Sequence, residues 1–437
     1  MSAPDSISIA TCGPIRGSIR PPGSKSITNR ALIIAALAKG KSTLRGALAS
    51  EDTQVMIESL TRLGISVEES QAGATLVIDG CGGTIAQPDA DLFVGNSGTT
   101  VRFLTAMLAA CQGKFRLDGI ARMRERPIAD LIRTLNALGS DVTSELNTGC
   151  PPVLIRAQGL KGGAAKIRGD ISSQFLSALL MAAPYARESV QVQVEGVLVS
   201  QPYVCMTLGL MRAFGVDVDP GDLTQFNIAG SQQYQARDYA IEPDASAASY
   251  FWGAAAITGG EITVRGLGRD ALQGDVVFVD CLEKMGCIVR AQNDAITVVG
   301  RRLRGIEIDM NAISDTAQTL GVVALFAEGP TTIRGIAHVR HKETDRIGDL
   351  ARELRKFGAT VDEFDDGMRI TPPANYDKFS GASIATYNDH RMAMSLALAG
   401  LNLPGVVIND PGCTAKTYPH FFTDLQELIA TGHAGAK

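Results

Sequence analysis

The chain has 437 residues, with 41 Lys and Arg against 46 Asp and Glu and a net charge of −5 at pH 7. That length exceeds one hydrophobic core and predicts two domains. The negative balance argues against nucleic acid or an anionic membrane as the main partner, because both require a basic face. Residues 1–10 carry no basic-plus-apolar leader, and no apolar run approaches the roughly 20 residues a bilayer requires. A cytoplasmic protein is expected. The 8 cysteines are scattered without a C-x-x-C pair, and the 5 histidines have no completing ligands. Reduced thiols and no metal site are expected.

In chain order, residues 7–19 read as one or two strands. Pro21-Pro22-Gly23-Ser24-Lys25-Ser26-Ile27-Thr28-Asn29-Arg30 then enters an apolar helix over 31–37. A helix N-terminus offers unpaired N–H groups and partial positive charge, and Lys25 and Arg30 add a point charge and a bidentate fork. The stretch suits an anion; it also fits an ordinary cap with two solvated bases. The construction recurs. Asn96-Ser97-Gly98-Thr99-Thr100 opens 101–110, Ser172-Ser173-Gln174 opens 175–183, and Asp244-Ala245-Ser246 opens 247–257. Ser314-Asp315-Thr316 opens 317–327 and Asn388-Asp389-His390-Arg391 opens 392–399. Each helix is alanine-rich, hence buried, and leads into a β-type run ending near glycine or, in the last copy, near Asp410.

A second, amphipathic helix ending in glycine follows in five copies: 55–63, 131–138, 204–214, 276–285 and 347–357, with a last half-copy at 421–429. The spacing of about 70 residues leaves room for a βαβαββ unit, present six times. The stops at Pro22-Gly23 and Glu242-Pro243 read as crossings between domains. The predicted domains are 1–23 plus 243–437, and 24–242, with three units in each.

Three stretches carry concentrated charge. Arg122-Met123-Arg124-Glu125-Arg126-Pro127 is either a solvated turn or an anion clamp. His338-Val339-Arg340-His341-Lys342-Glu343-Thr344-Asp345-Arg346 holds seven ionisable residues in nine, and a charge run is often no more than a solvated face. Asp389-His390-Arg391 and Ala415-Lys416-Thr417 add further cations. Lys25, Arg30, Arg126, Lys342, Arg346, Arg391 and Lys416 thus stand against two well-placed carboxylates, Asp315 and Glu343. This balance suits polyanionic substrates with acid/base work by the carboxylates.

These motifs, together with Glu125-Arg126-Pro127-Ile128, Ser172-Ser173-Gln174-Phe175 and Cys413-Thr414-Ala415-Lys416-Thr417, closely resemble the 5-enolpyruvylshikimate-3-phosphate synthase (3-phosphoshikimate 1-carboxyvinyltransferase) family, from about Gly13 to about Leu428. The resemblance implies an inside-out α/β barrel of two domains, three βαβαββ units each, closing like a clamp on an active site in the interdomain cleft. It implies transfer of the enolpyruvyl group of phosphoenolpyruvate to the 5-hydroxyl of shikimate 3-phosphate, in aromatic amino acid biosynthesis, by a monomer without metal or organic cofactor. It also implies inhibition by glyphosate.

Carried over by motif, shikimate 3-phosphate is bound by Lys25, Ser26, Arg30, Ser172, Ser173, Gln174, Ser200, Asp315, His338 and Lys342. Phosphoenolpyruvate is bound by Lys25, Gly98, Arg126, Gln174, Arg346, Arg391 and Lys416. Asp315, Glu343 and Lys25 are the implied catalytic residues, Asp315 as proton acceptor and Glu343 as donor. Two positions depart from the family pattern: His338 stands where Asn is common, and Phe103 where Pro is common. The related transferase acting on UDP-N-acetylglucosamine would place a reactive cysteine in the loop at 122–127, which has none. An RNA 3′-phosphate cyclase would want a basic groove, and a non-catalytic repeat scaffold has no need of both carboxylates among the cations.

Overall fold

In the computed structural model, which describes residues 4–377 and 379–434, polar caps start helices close to where the sequence places them. The α-helices among the described residues are α1 (Lys25–Leu37), α2 (Glu51–Arg62), α3 (Gly98–Ala110), α4 (Ala129–Ala137), α5 (Ser173–Ala182), α6 (Gln201–Ala213), α7 (Ala245–Thr258), α8 (Phe278–Lys284), α9 (Ala317–Ala324), α10 (Arg346–Arg355), α11 (His390–Ala397) and α12 (Phe421–Ala434). Ser24, Ser97, Ser172, Asp244 and Asp389 each accept an amide hydrogen from the first turn of the helix that follows. α3 and α11 are buried on every face and α1 and α7 on nearly every one, whereas α2, α4 and α10 alternate buried and exposed faces.

One expected cap differs. Ser314, Asp315 and Thr316 lie in a 3₁₀ stretch, Asn311–Thr316, and α9 begins only at Ala317. The break at Ile313 (φ −128°, ψ 36°) interrupts the helical path, so the Asp315 carboxylate is turned to cations rather than spent on capping.

The chain divides into two compact units, Gly23–Glu242 and Met1–Pro22 with Pro243–Lys437. The strands form six open sheets among the described residues, and no sheet closes into a barrel. In each, the strand after a buried helix has one parallel neighbour and one antiparallel neighbour. In the Gly23–Glu242 unit, Lys39–Arg45 runs parallel to Asp238–Ala240 and antiparallel to Thr75–Cys81. Gln112–Asp118 lies between Asp89–Phe93 and Val153–Gln158, and Val190–Glu195 between Gly163–Arg168 and Gln225–Ile228. In the other unit, Glu261–Arg265 runs parallel to Arg16–Ile19, and Val406–Asn409 pairs antiparallel with Ser6–Ile9. The first strands of the chain thus complete sheets built from its second half. That unit's core gathers around α7, where Trp252, wholly buried, donates its indole N–H to the Ile296 carbonyl at 3.1 Å.

Where the chain leaves one unit for the other, each side is tied within its own unit. The Ser24 amide donates to the Glu242 carbonyl and the Asp244 amide to the Pro22 carbonyl, both at 2.8 Å. Gly23 is needed there because a Cβ at that position would lie 1.9 Å from the Gly46 carbonyl oxygen, and a backbone oxygen cannot swing aside. Gly23→Ala is expected to cost about 1–3 kcal/mol through forced backbone displacement. Thermal or urea unfolding checks this, and an unchanged midpoint contradicts it.

Candidate active site

In the Gly23–Glu242 unit the predicted residues sit at four helix starts, except Arg126, which closes the 3₁₀ stretch Ala121–Glu125. Lys25, at the start of α1, lies 3.4 Å from Asp52 near the start of α2. One turn on, Arg30 is almost wholly buried and donates to Thr207 Oγ1 (2.7 Å), the Ser26 carbonyl (2.9 Å), Ser177 Oγ (3.3 Å) and the Tyr203 carbonyl (3.3 Å). Every one of these acceptors is neutral. Its guanidinium also stands 5.2 Å from the Phe103 ring centroid and 5.9 Å from that of Tyr203. Burial lowers the Arg30 pKa to about 10, with the Tyr203 phenol opposing. Phe103, one of the two departures from the family pattern, lies under Arg30.

Gly98, the first residue of α3, is walled by a cation: a Cβ there would be 2.4 Å from an Arg126 guanidinium nitrogen. Arg126 is buried and donates to the Asn96 carbonyl at 2.9 Å. Its neighbours face elsewhere: Arg122 pairs with Glu125, and Arg124 with Asp118. Of the three arginines in that turn, Arg126 is inward, Arg122 half-buried, and Arg124 alone exposed on the solvated face that the alternative reading describes. Gln174 accepts from Arg102, and Ser172 caps α5. Ser173 is buried; Ser200, also buried, takes a left-handed backbone (φ 52°) at the start of α6.

In the other unit the predicted residues form one connected cluster. Asp315 accepts from Lys342, from Arg346 at 3.2 Å and from Arg391 at 2.8 Å. Arg346 also donates to Glu343 (2.8 Å) and through Nε to Asp389 (2.7 Å), and Lys416 lies 3.3 Å from Glu343. Burial opposes charge on Asp315, but Arg391, Lys342 and Arg346 outweigh it and hold the carboxyl well below its ordinary range. Burial lowers Lys342, while Asp315 pulls the other way. Burial would lower Arg346 too, yet Asp389, Glu343 and Asp315 raise it. His338 bonds to Ser314 Oγ at 2.9 Å beside Asp315, and burial, reinforced by Lys342, lowers it to about 3. It is a neutral imidazole at ordinary pH.

Three carboxylates in this setting escaped the sequence reading. Asp389 stood in a recognised cap motif, yet its side chain also holds Arg346. Asp52 had only the signal of an acidic first turn, which most helices show. Asp275 had none: it accepts from Ser246 Oγ, and burial, then the charge of Asp315, raises it to about 6. Among the described residues no group of three or more His, Cys, Asp or Glu could hold a metal ion, and no helix is long and apolar enough to cross a membrane.

Buried cations interleaved with buried carboxylates define an enzyme site for anionic small molecules, able to hold phosphate or carboxylate and to move protons. The sequence matches the EPSP synthase (3-phosphoshikimate 1-carboxyvinyltransferase) family over residues 9–425. A 3-phosphoshikimate 1-carboxyvinyltransferase from Trichormus variabilis is 49% identical over 418 residues, covering 95% of this chain and 97% of the relative. One from Marinomonas sp. is 48% identical over 427 residues, covering 98% of this chain and 100% of the relative. The solved structure of EPSP synthase from Acinetobacter baumannii aligns with a TM-score of 0.80 at 27% identity, covering 98% of this chain and 97% of that one. The chain belongs to the EPSP synthase family.

The burial of His338 has a consequence for acid stability. The unfolded chain takes up a proton near the ordinary histidine value of 6.5, whereas the folded protein refuses it until about pH 3, so stability falls as pH drops through that window. Asp275 acts in the opposite sense. Its folded value of about 6 lies above 3.8, so the folded state holds the extra proton and gains stability as pH falls from 6 toward 4. His338→Asn is expected to flatten the loss of thermal midpoint between about pH 6.5 and pH 4. An unchanged slope against pH contradicts the assignment.

Proposed function

We propose that this enzyme moves the enolpyruvyl group of phosphoenolpyruvate to the 5-hydroxyl of shikimate 3-phosphate, releasing phosphate, as a cytoplasmic monomer that uses no metal or organic cofactor. The observation that carries the reading is the continuous network in which Asp315 and Glu343 share Arg346, with Lys342, Arg391 and Lys416 around them. We read each sheet with its helices as one βαβαββ copy, three per unit, and take the predicted residues of both units to serve this one reaction.

In the first step the 5-hydroxyl oxygen bonds to C2 of phosphoenolpyruvate while C3 takes a proton, giving a tetrahedral intermediate. In the second, the C2–O bond to phosphate breaks and C3 loses a proton, restoring the double bond. We assign Asp315 as acceptor of the hydroxyl proton and Glu343 as the group that gives and retakes the proton at C3. Three cations make Asp315 a weak base. Substrate phosphate and carboxylate would draw charge from Lys342, Arg346 and Arg391 and so raise its basicity where it is needed. Lys25, Arg126, Arg346, Arg391 and Lys416, with Gly98 and Gln174, are assigned to phosphoenolpyruvate. Arg30, with Lys25, Ser26, Ser172, Ser173, Gln174, Ser200, Asp315, His338 and Lys342, is assigned to shikimate 3-phosphate.

Phosphate release assayed with shikimate 3-phosphate, and separately with UDP-N-acetylglucosamine, tests the activity: turnover only with the first is expected. Glu343→Gln keeps the shape of the side chain but removes its proton, so kcat is expected to fall about a hundredfold or more with little change in substrate affinity. Arg30→Ala should chiefly weaken shikimate 3-phosphate binding; the reverse pattern in kinetics and calorimetry refutes these roles.

Glyphosate is expected to compete with phosphoenolpyruvate at the Arg126 side of Gly98. In Gly98→Ala the added methyl meets the end of Arg126 at 2.4 Å, and that guanidinium is flexible enough to give way. The variant should therefore bind glyphosate more weakly and keep turnover in its presence. Equal inhibition constants for parent and variant count against it.

A further inference from the structure

Residues 386–389 form a tight turn directly before α11. The Asp389 amide donates to the Thr386 carbonyl at 2.9 Å, and the two central residues, Tyr387 and Asn388, have φ of 55° and 53°. Two successive left-handed residues make a type I′ turn, whose first central position ordinarily takes Asn, Asp or Gly. A tyrosine there is sterically disfavoured. Something outside the turn must hold it.

That holder is Glu353 on α10, a fully buried carboxylate with no part in the chemistry above. Its Oε1 accepts the Tyr387 hydroxyl at 2.7 Å; its Oε2 accepts the Ala385 amide at 3.0 Å and the Lys356 ammonium at 2.6 Å. Lys356 also donates to the Ser383 carbonyl at 2.9 Å. Arg352 donates to the Tyr387 hydroxyl at 3.2 Å and lies 5.6 Å from its ring centroid. The turn and the segment before it are thus laced to the later part of α10, while Arg346, at the start of the same helix, grips Asp389 at the turn's end. Asp389 in turn accepts the Arg391 amide at 2.8 Å, and the Arg391 guanidinium reaches Asp315.

We propose that Glu353 and Tyr387 are positioning residues which, by holding the strained turn at 386–389, set Asp389 and Arg391 against Arg346 and Asp315 and so determine the affinity of this cluster for an anionic substrate. The proposal rests on the assignment of Arg346 and Arg391 to phosphoenolpyruvate. The turn is the element through which the pair acts, since neither side chain bonds to Arg391 directly.

Two substitutions separate turn geometry from simple stabilisation. Tyr387→Phe keeps the ring against the Arg352 guanidinium but removes the hydroxyl, and with it the bonds to Glu353 and Arg352, leaving a bulky residue in a left-handed position. Tyr387→Asn cuts the tether and removes the need for it, because Asn takes that conformation readily. The measurements are kcat and KM for each substrate, the Kd of glyphosate with shikimate 3-phosphate present, and the thermal midpoint. Tyr387→Phe is expected to raise the phosphoenolpyruvate KM and the glyphosate Kd about tenfold. The shikimate 3-phosphate KM should stay within about twofold, and Tyr387→Asn should bring the phosphoenolpyruvate KM back to within about threefold of the parent. Parental constants in Tyr387→Phe with only a lowered midpoint overturn the proposal, and so does a Tyr387→Asn variant as impaired as the Phe variant. A parent enzyme that releases no phosphate from the two substrates refutes the functional reading itself, and this proposal with it.

Discussion

The unit that carries most of the charged side chains is organised by one buried guanidinium. Arg346 is 2% exposed, and a cation taken that far from water is tolerable only where its donors meet carboxylates at good geometry. It meets three, Asp389, Glu343 and Asp315, through different nitrogens. Each of those anions is then shared with another cation or another backbone group: Asp315 with Lys342 and Arg391, Glu343 with Lys416, and Asp389 with the first turn of α11. Loss of Arg346 would take a cation from all three buried carboxylates at once. Arg346 ties the start of α11 to this cluster through Asp389, and with Arg391 and Lys342 it keeps Asp315 charged.

The other unit solves the same problem in a different way. Arg30 is as deeply buried, yet its hydrogen bonds go to hydroxyl and carbonyl oxygens and its flat faces meet aromatic rings. Such a guanidinium keeps its charge uncompensated, at the cost of a lowered pKa, and that is the electrostatic setting an incoming anion favours. One unit therefore holds cations already neutralised by carboxylates that can exchange protons, and the other holds a cation poised by neutral groups.

Much of the site was legible in the sequence because capping is local. Ser24, Ser97, Ser172, Asp244 and Asp389 announce helix starts by residue type and spacing, and Lys25, Gly98 and Arg391 are found beside them for that reason alone. The charge run at 338–346 could be seen but not oriented. Arg340 pairs with Asp345 at the rim while Arg346 goes inward, and nothing in the order of residues distinguishes the two. The turn at 122–126 has the same ambiguity, with Arg126 inward and Arg124 outward. Asp52, Asp275 and Glu353 gave no local sign of their partners on other elements, Lys25, Ser246 and Tyr387.

The sequence by itself determined the alternation of buried and covering helices, the strands that follow them, and the caps, because these depend on hydrophobic periodicity and on bonds spanning a few residues. The membership of residues 1–23 in the second half was also legible, from the proline stops; only the tertiary structure decided which strands Ser6–Ile9 and Arg16–Ile19 pair with, that Asp315 sits in a 3₁₀ stretch rather than a cap, and that Phe103 lies under Arg30. Those outcomes depend on which distant surfaces meet and on how each buried charge finds its partner, and a contact across hundreds of residues leaves no spacing in the chain to be read.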